Sequence, residues 1–193
     1  GESGPRAVIE AANAADATLT GVVGALTNLL RVPDGLEEAI EAALAEQLSA
    51  VVVERESDAL AALAYLRDSE TGTATVLALQ SMPQQYPVNV FNERGVIGVA
   101  ARLVRCEAAH RQLVDALLGR TIVVEDIGVA RQMLERGLGS VVTRDGTLLR
   151  PGGSYFGGKT GEAAKQFSLR RELEDLPAER EVLATAVEAA RAR

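Results

Sequence analysis

Two kinds of apolar spacing alternate along the chain. Short, nearly unbroken runs rich in valine and isoleucine, "AVVVE" (50–54), "TATVLAL" (73–79), "TIVVE" (121–125) and "SVVT" (140–143), read as buried strands. Between and around them apolar residues recur every three to four positions, which predicts helices over 5–15 (opened by Pro5), 33–48, 57–68, 107–119 and 126–137. The helix over 33–48 places Leu36, Ile40, Ala43, Leu44 and Leu48 on one face, while Glu37, Glu38 and Glu41 read as a solvated acidic face. Ser57 or Asp58 caps the helix over 57–68, and Asp126 caps the last of the five. Residues 20–32 combine a glycine turn with a short helix. Residues 81–93, "SMPQQYPVNVFNE", carry two prolines and no apolar period, and are predicted to be a long surface loop.

The order helix–strand–helix–strand therefore occurs twice. At an offset of 71 residues Val53-Glu54 falls on Val124-Glu125 and Ala59 on Ala130, which predicts two similar α/β subdomains. After the second unit, "SVVTRDGTLLRP" reads as a hairpin turning at Asp145-Gly146. Further on, Leu169, Leu173, Leu176, Leu183, Val187 and Ala190 form a heptad seam with Arg180 in the missing position. Pro177 is predicted to interrupt that helix, with a fresh start at Asp175 or Leu176. A seam of this kind calls for a partner helix.

Composition narrows the chemistry. Hydrophobic residues make up 47% of the 193 and aromatics only 3%, so the core is built from Ala, Val, Leu and Ile. The net charge of −7 excludes a surface that is basic all round. Charge is uneven, however: residues 1–49 hold eight acids and two arginines, whereas Arg150, Lys159, Lys165, Arg170 and Arg171 face only Glu162 over residues 150–171. A single cysteine, Cys106, forms no internal disulfide and suits a reducing compartment. No apolar run is long enough to span a bilayer and no secretory leader is visible, so the expected location is cytoplasmic. Cys106 and His110, four apart, share a helix face but lack a third ligand, so no metal is expected. With one histidine and no nucleophile constellation, no catalytic residue is assigned.

One stretch carries a motif. From Gly153 to Thr160, "GSYFGGKT" spells the G-x-x-x-x-G-K-T of a phosphate-binding loop. Such a loop works by joining a buried strand to a helix, so that its amides converge on the phosphates. Here it follows the return arm of a hairpin and Pro151, and too little chain comes after it to complete a nucleotide-binding sheet. A small nucleotide-binding protein using Gly153–Thr160 is therefore the lesser reading. Simple turns, and an interface edge where glycines let two backbones approach around the anchors Tyr155 and Phe156, are the two others that the residues leave open.

The segment "VVTRDGTLLRPGGSYFGG" resembles the end of the hinge domain of SMC (structural maintenance of chromosomes) proteins, whose pattern runs V-T-x-D-G-x-x-x-x-P-G-G-S-x-T-G-G. "TLTGVVGALTNLLRVPDGLEEAIEAAL", "LVDALLGRTIVVEDIGVARQML" and "FSLRRELEDL" extend the resemblance over about 170 residues. Phe156 replaces the family's threonine, Ala45-Glu46 its Leu-Gly turn and Thr73 a common arginine; Pro177 is unusual in a coiled-coil stem. The resemblance implies a mixed α/β hinge: the end of one coiled-coil arm over 1–19, subdomain I with its linker over 20–93, subdomain II over 94–158, and the start of the second arm from 159. It further implies a non-enzymatic module that dimerises with a second copy through Gly152, Gly153, Gly157 and Gly158, with Tyr155 and Phe156 beside them, joining the arms of a chromosome condensation and segregation protein whose ATPase heads lie elsewhere. Lys159, Lys165, Arg170 and Arg171 are then the candidates for weak, sequence-independent DNA contact. No cofactor is implied.

Overall fold

The computed structural model describes residues 3–14, 18–159 and 162–191. Helix α1 (Ser3–Asn13) precedes a first unit made of β1 (Val22–Ala25), α2 (Leu26–Leu29), α3 (Glu37–Leu44), β2 (Val51–Val53), α4 (Glu56–Ser69) and β3 (Val76–Ala78). An extended linker leads to the second unit: β4 (Val96–Val99), α5 (Ala100–Leu103), α6 (Arg111–Leu118), β5 (Thr121–Val124), α7 (Ile127–Glu135) and β6 (Ser140–Thr143). The short strands β7 (Leu148–Leu149) and β8 (Tyr155–Phe156) extend the second sheet, and α8 (Glu162–Arg191) follows. The sheets run β1-β2-β3 and β4-β5-β6-β7-β8.

The repeat is closer than the sequence match suggests. In both units the first strand pairs antiparallel with the second, which pairs parallel with the third. The antiparallel register slips at the same place, between Val22 and Gly24 and between Val96 and Gly98. Strands β1 and β4 were absent from the apolar pattern, because a glycine bulge breaks the alternation that marks a strand. The two units meet where Arg31 and Arg105 exchange backbone hydrogen bonds of 2.8 and 2.9 Å, an antiparallel bridge between equivalent positions. A local two-fold axis therefore relates the units.

The alternation of side chains divides each sheet between two cores. Val52 and Leu77 of the first sheet, and Val123, Val142 and Leu148 of the second, face a shared interior with Ile40 of α3 and Leu113, Val114 and Leu118 of α6. Each fully buried Leu or Val here contributes about 1.5–3 kcal/mol by leaving water. On the outer face of the first sheet, Val51 packs with Val8 and Ala11 of α1 and Ala62 and Leu66 of α4. On that of the second, Ile122, Val124, Val141 and Leu149 pack with Ala130 and Met133 of α7 and with Val88 and Val90 of the linker.

Several elements depart from the predicted ones. Helix α4 starts before Ser57: Asp58 lies within it and accepts the Arg55 N–H at 3.0 Å, whereas Asp126 caps α7 as predicted, accepting the Val129 N–H at 3.0 Å. Helix α3 stops at Leu44, because Ala45 takes φ 49°, ψ −123°, and a 3-10 turn follows. Helix α8 runs through Pro177 as one element; proline removes one N–H, and the rest of a 30-residue ladder carries the helix past it.

Candidate interface and arm root

Strand β8 is made by its turn. Arg150 N–H donates to Ser154 O and Gly153 N–H to Arg150 O, both at 3.0 Å, with Gly153 at φ 87°. That is a three-residue loop with Pro151 at the position that favours it and glycine in the left-handed place. The preceding hairpin closes in the same way: Gly146 N–H donates to Thr143 O at 3.0 Å, Thr143 N–H to Thr147 O at 2.9 Å, and Gly146 has φ 88°. The turn therefore has three residues, Arg144-Asp145-Gly146, rather than the two read from Asp145-Gly146. Leu149 faces Tyr155 and Leu148 faces Phe156 across the ladder. Antiparallel alternation directs the Phe156 backbone groups to β7 and those of Tyr155 to the open edge.

Tyr155 and Phe156 stand 74% and 44% exposed, a large fraction for a protein with six aromatics. Tyr155 lies on the outer face beside Leu149 and Phe156 on the inner face beside Leu148. Gly152 has no left-handed conformation to satisfy, and no atom of the described residues lies within 4 Å of where its Cβ would be. Gly153 and Gly158 likewise open on empty space, whereas a Cβ on Gly157 would lie 3.4 Å from Gly146 O. Nothing in the packing of the described residues uses the missing side chain of Gly152.

The geometry also disposes of a phosphate loop. The motif's centre is a strand, so the Phe156 amide belongs to a sheet ladder and cannot turn toward a phosphate. Lys159 is highly exposed and lies 3.7 Å from Glu38. Thr160 lies outside the described residues.

Helix α8 leaves from the local two-fold axis. Phe167, 3% exposed, enters the shared core, and Arg171 is held by three groups of the first unit: the Glu37 carboxylate at 2.6 Å, Asp34 at 3.1 Å and Val32 O at 3.4 Å. The Glu37 side chain is only 13% exposed, so this carboxylate is a part-buried anchor and not part of a solvated face. The hydrogen bond to Glu37 raises the pKa of the Arg171 guanidinium above its ordinary value. Arg170 pairs with Glu174 at 3.1 Å, and Glu174 also meets Arg31 at 3.1 Å. Arg31, Arg105, Arg170 and Arg171 line one cavity of about 340 Å³ with Glu174 and Asp175. The side chain of Lys165 lies outside the described residues. Lys159 is separate from this cluster, beside β8. Sequence reasoning missed Asp34, Glu37, Arg31 and Glu174, and the one available signal was the acidic bias of residues 1–49 opposite the basic bias of 150–171.

Comparison with known proteins decides the family. The flexible hinge domain of SMC proteins matches residues 19–134. The chain belongs to the SMC hinge family. It is 33% identical over 184 residues to the chromosome partition protein Smc of Myxococcus xanthus, covering 92% of this chain and 15% of that protein. It is 32% identical over 167 residues to the Smc of Bacillus subtilis, covering 82% of this chain and 14% of that one. Among solved structures, an asymmetric dimer of the Geobacillus stearothermophilus SMC hinge domain resembles it with a TM-score of 0.83 and 31% identity, over 95% of this chain and 75% of that one. The Pyrococcus furiosus SMC hinge domain resembles it with a TM-score of 0.63 and 27% identity, over 82% and 90% of the two chains. The mixed α/β hinge fold with two similar units thus stands as the sequence implied. No helix among the described residues is long and apolar enough to cross a membrane.

Proposed function

We propose that this hinge joins two copies of the chain edge to edge, β8 of each beside β3 of the other, as a dimerisation module of a cytoplasmic chromosome partition protein. The observation that carries the reading is the state of the four sheet edges. Strands β1 and β4 are bulged, a device that blocks strand addition, while β3 and β8 end their sheets without one. Two copies related by a two-fold axis satisfy both free edges at once, and each joint makes a continuous eight-stranded sheet. Gly152, Gly153, Gly157 and Gly158 allow close approach, with Tyr155 and Phe156 as anchors on opposite faces. Helix α8 is the root of a coiled-coil arm, its exposed Leu169, Leu173, Leu176, Leu183 and Val187 forming the seam. The module joins and does not catalyse.

Sedimentation equilibrium of the chain from nanomolar to micromolar concentration tests this. The expected result is a dimer that Tyr155→Pro weakens about ten-fold or more, because proline deletes an outward donor without touching the inward ladder. A bulky Gly152→Trp should act likewise. A folded monomer at every concentration would end the reading.

Weak DNA contact is a second reading, supported by the four arginines that share the cavity at the arm root. Phosphates there compete with Glu174 and Asp175, so binding should be strongly salt-dependent. Charge reversal at Arg170 and Arg171 should lower duplex affinity at low salt. Reversal at Lys159 and Lys165 tests whether the patch extends to β8.

A further inference from the structure

Helix α3 is touched on one side by the arm root and on the other by the β6–β7 turn, against which the chain leaving strand β8 lies. We propose that α3 couples the two, so that the seating of the α8 arm on Glu37 sets how strongly the β8 edge self-associates. The inference rests on the dimer reading above and adds a regulatory link to it.

On the arm side the tie is close. Glu37 and Arg171 are bound at 2.6 Å in a part-buried position, and Phe167 anchors the same stretch of α8 in the core. On the edge side the next residue of α3 takes part. A Cβ on Gly146 would lie 3.0 Å from the backbone O of Glu38, and a Cβ on Gly157 would lie 3.4 Å from Gly146 O. Three backbones, those of α3, the β6–β7 turn and the end of β8, are therefore stacked with no side chain between them. Two looser ties run beside this stack, Glu38 to Lys159 at 3.7 Å and Glu46 to Arg150 at 3.3 Å. Beside this contact a cavity of about 360 Å³, lined among others by Glu38, Ala42, Phe156 and Lys159, separates α3 from β8, so a displacement of α3 passes through the Gly146 contact. A shift of α3 toward or away from α8 reaches the strand whose open edge makes the joint.

The internal repeat supplies the contrast. Arg111 of α6 occupies the place of Glu37 in the second unit, and its guanidinium is spent locally, on Asp115 at 3.1 Å and on the carbonyls of Val104 and Ala101. Among the described residues Arg111 has no hydrogen bond to either terminal helix. Coupling is reciprocal by thermodynamic necessity: what loosens α8 weakens the joint, and formation of the joint tightens α8. The arm thus acts as a lever on self-association.

The test uses the whole chain. Arg171→Ala and Glu37→Gln should each raise the dimer dissociation constant about five-fold or more in sedimentation equilibrium, while their melting temperatures show a folded chain. Arg170→Ala, which breaks a pair within α8, should leave it within about two-fold. In the opposite direction, the monomeric Tyr155→Pro chain should exchange the amide hydrogens of residues 165–175 faster than the wild-type dimer. A wild-type dimer whose affinity ignores both Arg171→Ala and Glu37→Gln would overturn the coupling and leave the dimer standing. A wild-type monomer would remove both.

Discussion

The two units share a frame and differ in what covers it. Both keep the bulged first strand, the parallel pair and the Arg31–Arg105 bridge at equivalent positions. The outer face of the first sheet is closed by a helix, α1, whose Val8 is fully buried. The outer face of the second is closed at the same place by the extended linker, whose Val88 and Val90 are only partly buried and whose Tyr86 and Phe91 are left outside. The second sheet gains two strands in exchange, and the first keeps a short free edge. The repeat supplies the scaffold and one free edge, β3, and the unrepeated β7, β8 and α8 supply the other edge and the arm root.

The difference can be broken most severely at the two glycines that open the first strands. Gly21 and Gly95 have φ 70° and 83°, and each accepts the N–H of an equivalent glutamate, Glu54 or Glu125, at 2.8 Å. A Cβ on Gly95 would lie 2.6 Å from a Val129 methyl, and one on Gly21 would lie 2.1 Å from the Asp58 carboxylate. Valine is stiff about its first torsion, whereas the Asp58 carboxylate can swing away at the loss of its bond to Arg55 N–H. Gly95→Ala should therefore cost about 3 kcal/mol, from the left-handed backbone plus overpacking, and Gly21→Ala about 2 kcal/mol, from the backbone plus a lost cap. Thermal unfolding reads both, at about 2–4 °C per kcal/mol for a chain of this size.

A smaller effect separates the outer coverings. Val8→Ala should cost about 2 kcal/mol in a fully packed site, and Val88→Ala about 1 kcal/mol, because the linker site already meets water on one side. Equal losses, measured by urea unfolding, would mean that the linker packs as tightly as the helix.

A third comparison has the opposite sign. Ala45 follows α3 as Gly119 follows α6, yet Ala45 holds φ 49°, ψ −123° while Gly119 holds φ −69°, ψ −19°. The strained conformation carries the side chain and the relaxed one carries the glycine. Ala45→Gly should stabilise the chain by about 1 kcal/mol, read as a higher urea midpoint at unchanged slope.

These residues also mark where the sequence could be read and where it could not. Strands β2, β3, β5 and β6 were legible because both faces are buried and their apolar runs are continuous. Strands β1 and β4 were not, since Gly24 and Gly98 interrupt four-residue edges. Gly152 was legible as an interface candidate only through the family's pattern; in the chain alone a glycine at a turn has an ordinary explanation. Glu37 was misread because helical periodicity assigns a face but does not say that an arginine 134 residues later will cover it. Helix α8 hid its continuity behind Pro177, whose effect on one hydrogen bond is local.

The smallest of the expected effects concerns a charge that only one unit pairs. Glu125 ends β5 as Glu54 ends β2, and the Arg144 guanidinium grips it with two hydrogen bonds, of 2.9 and 3.0 Å. No ion-pair partner for Glu54 is found among the described residues. The hydrogen bonds from Arg144 hold the Glu125 carboxyl below its ordinary pKa, outweighing the smaller opposing effect of desolvation. A carboxyl whose folded pKa is depressed binds its proton more readily in the unfolded chain. The stability it contributes is therefore present above the ordinary carboxylate range, near pH 4.3, and is lost as pH falls through the folded value. Both side chains are close to half exposed, so the contribution is small and screened by salt. In a carboxyl-resolved NMR titration Glu125 should protonate below the ordinary carboxylate range, and Arg144→Ala should return it toward that range. Glu125→Gln should be slightly less stable than the parent at pH 7 and indistinguishable from it once the carboxyl is protonated in both states. Titration of Glu125 at the ordinary carboxylate value would show that the Arg144 grip does not persist in solution, and with it would go this last distinction between the units.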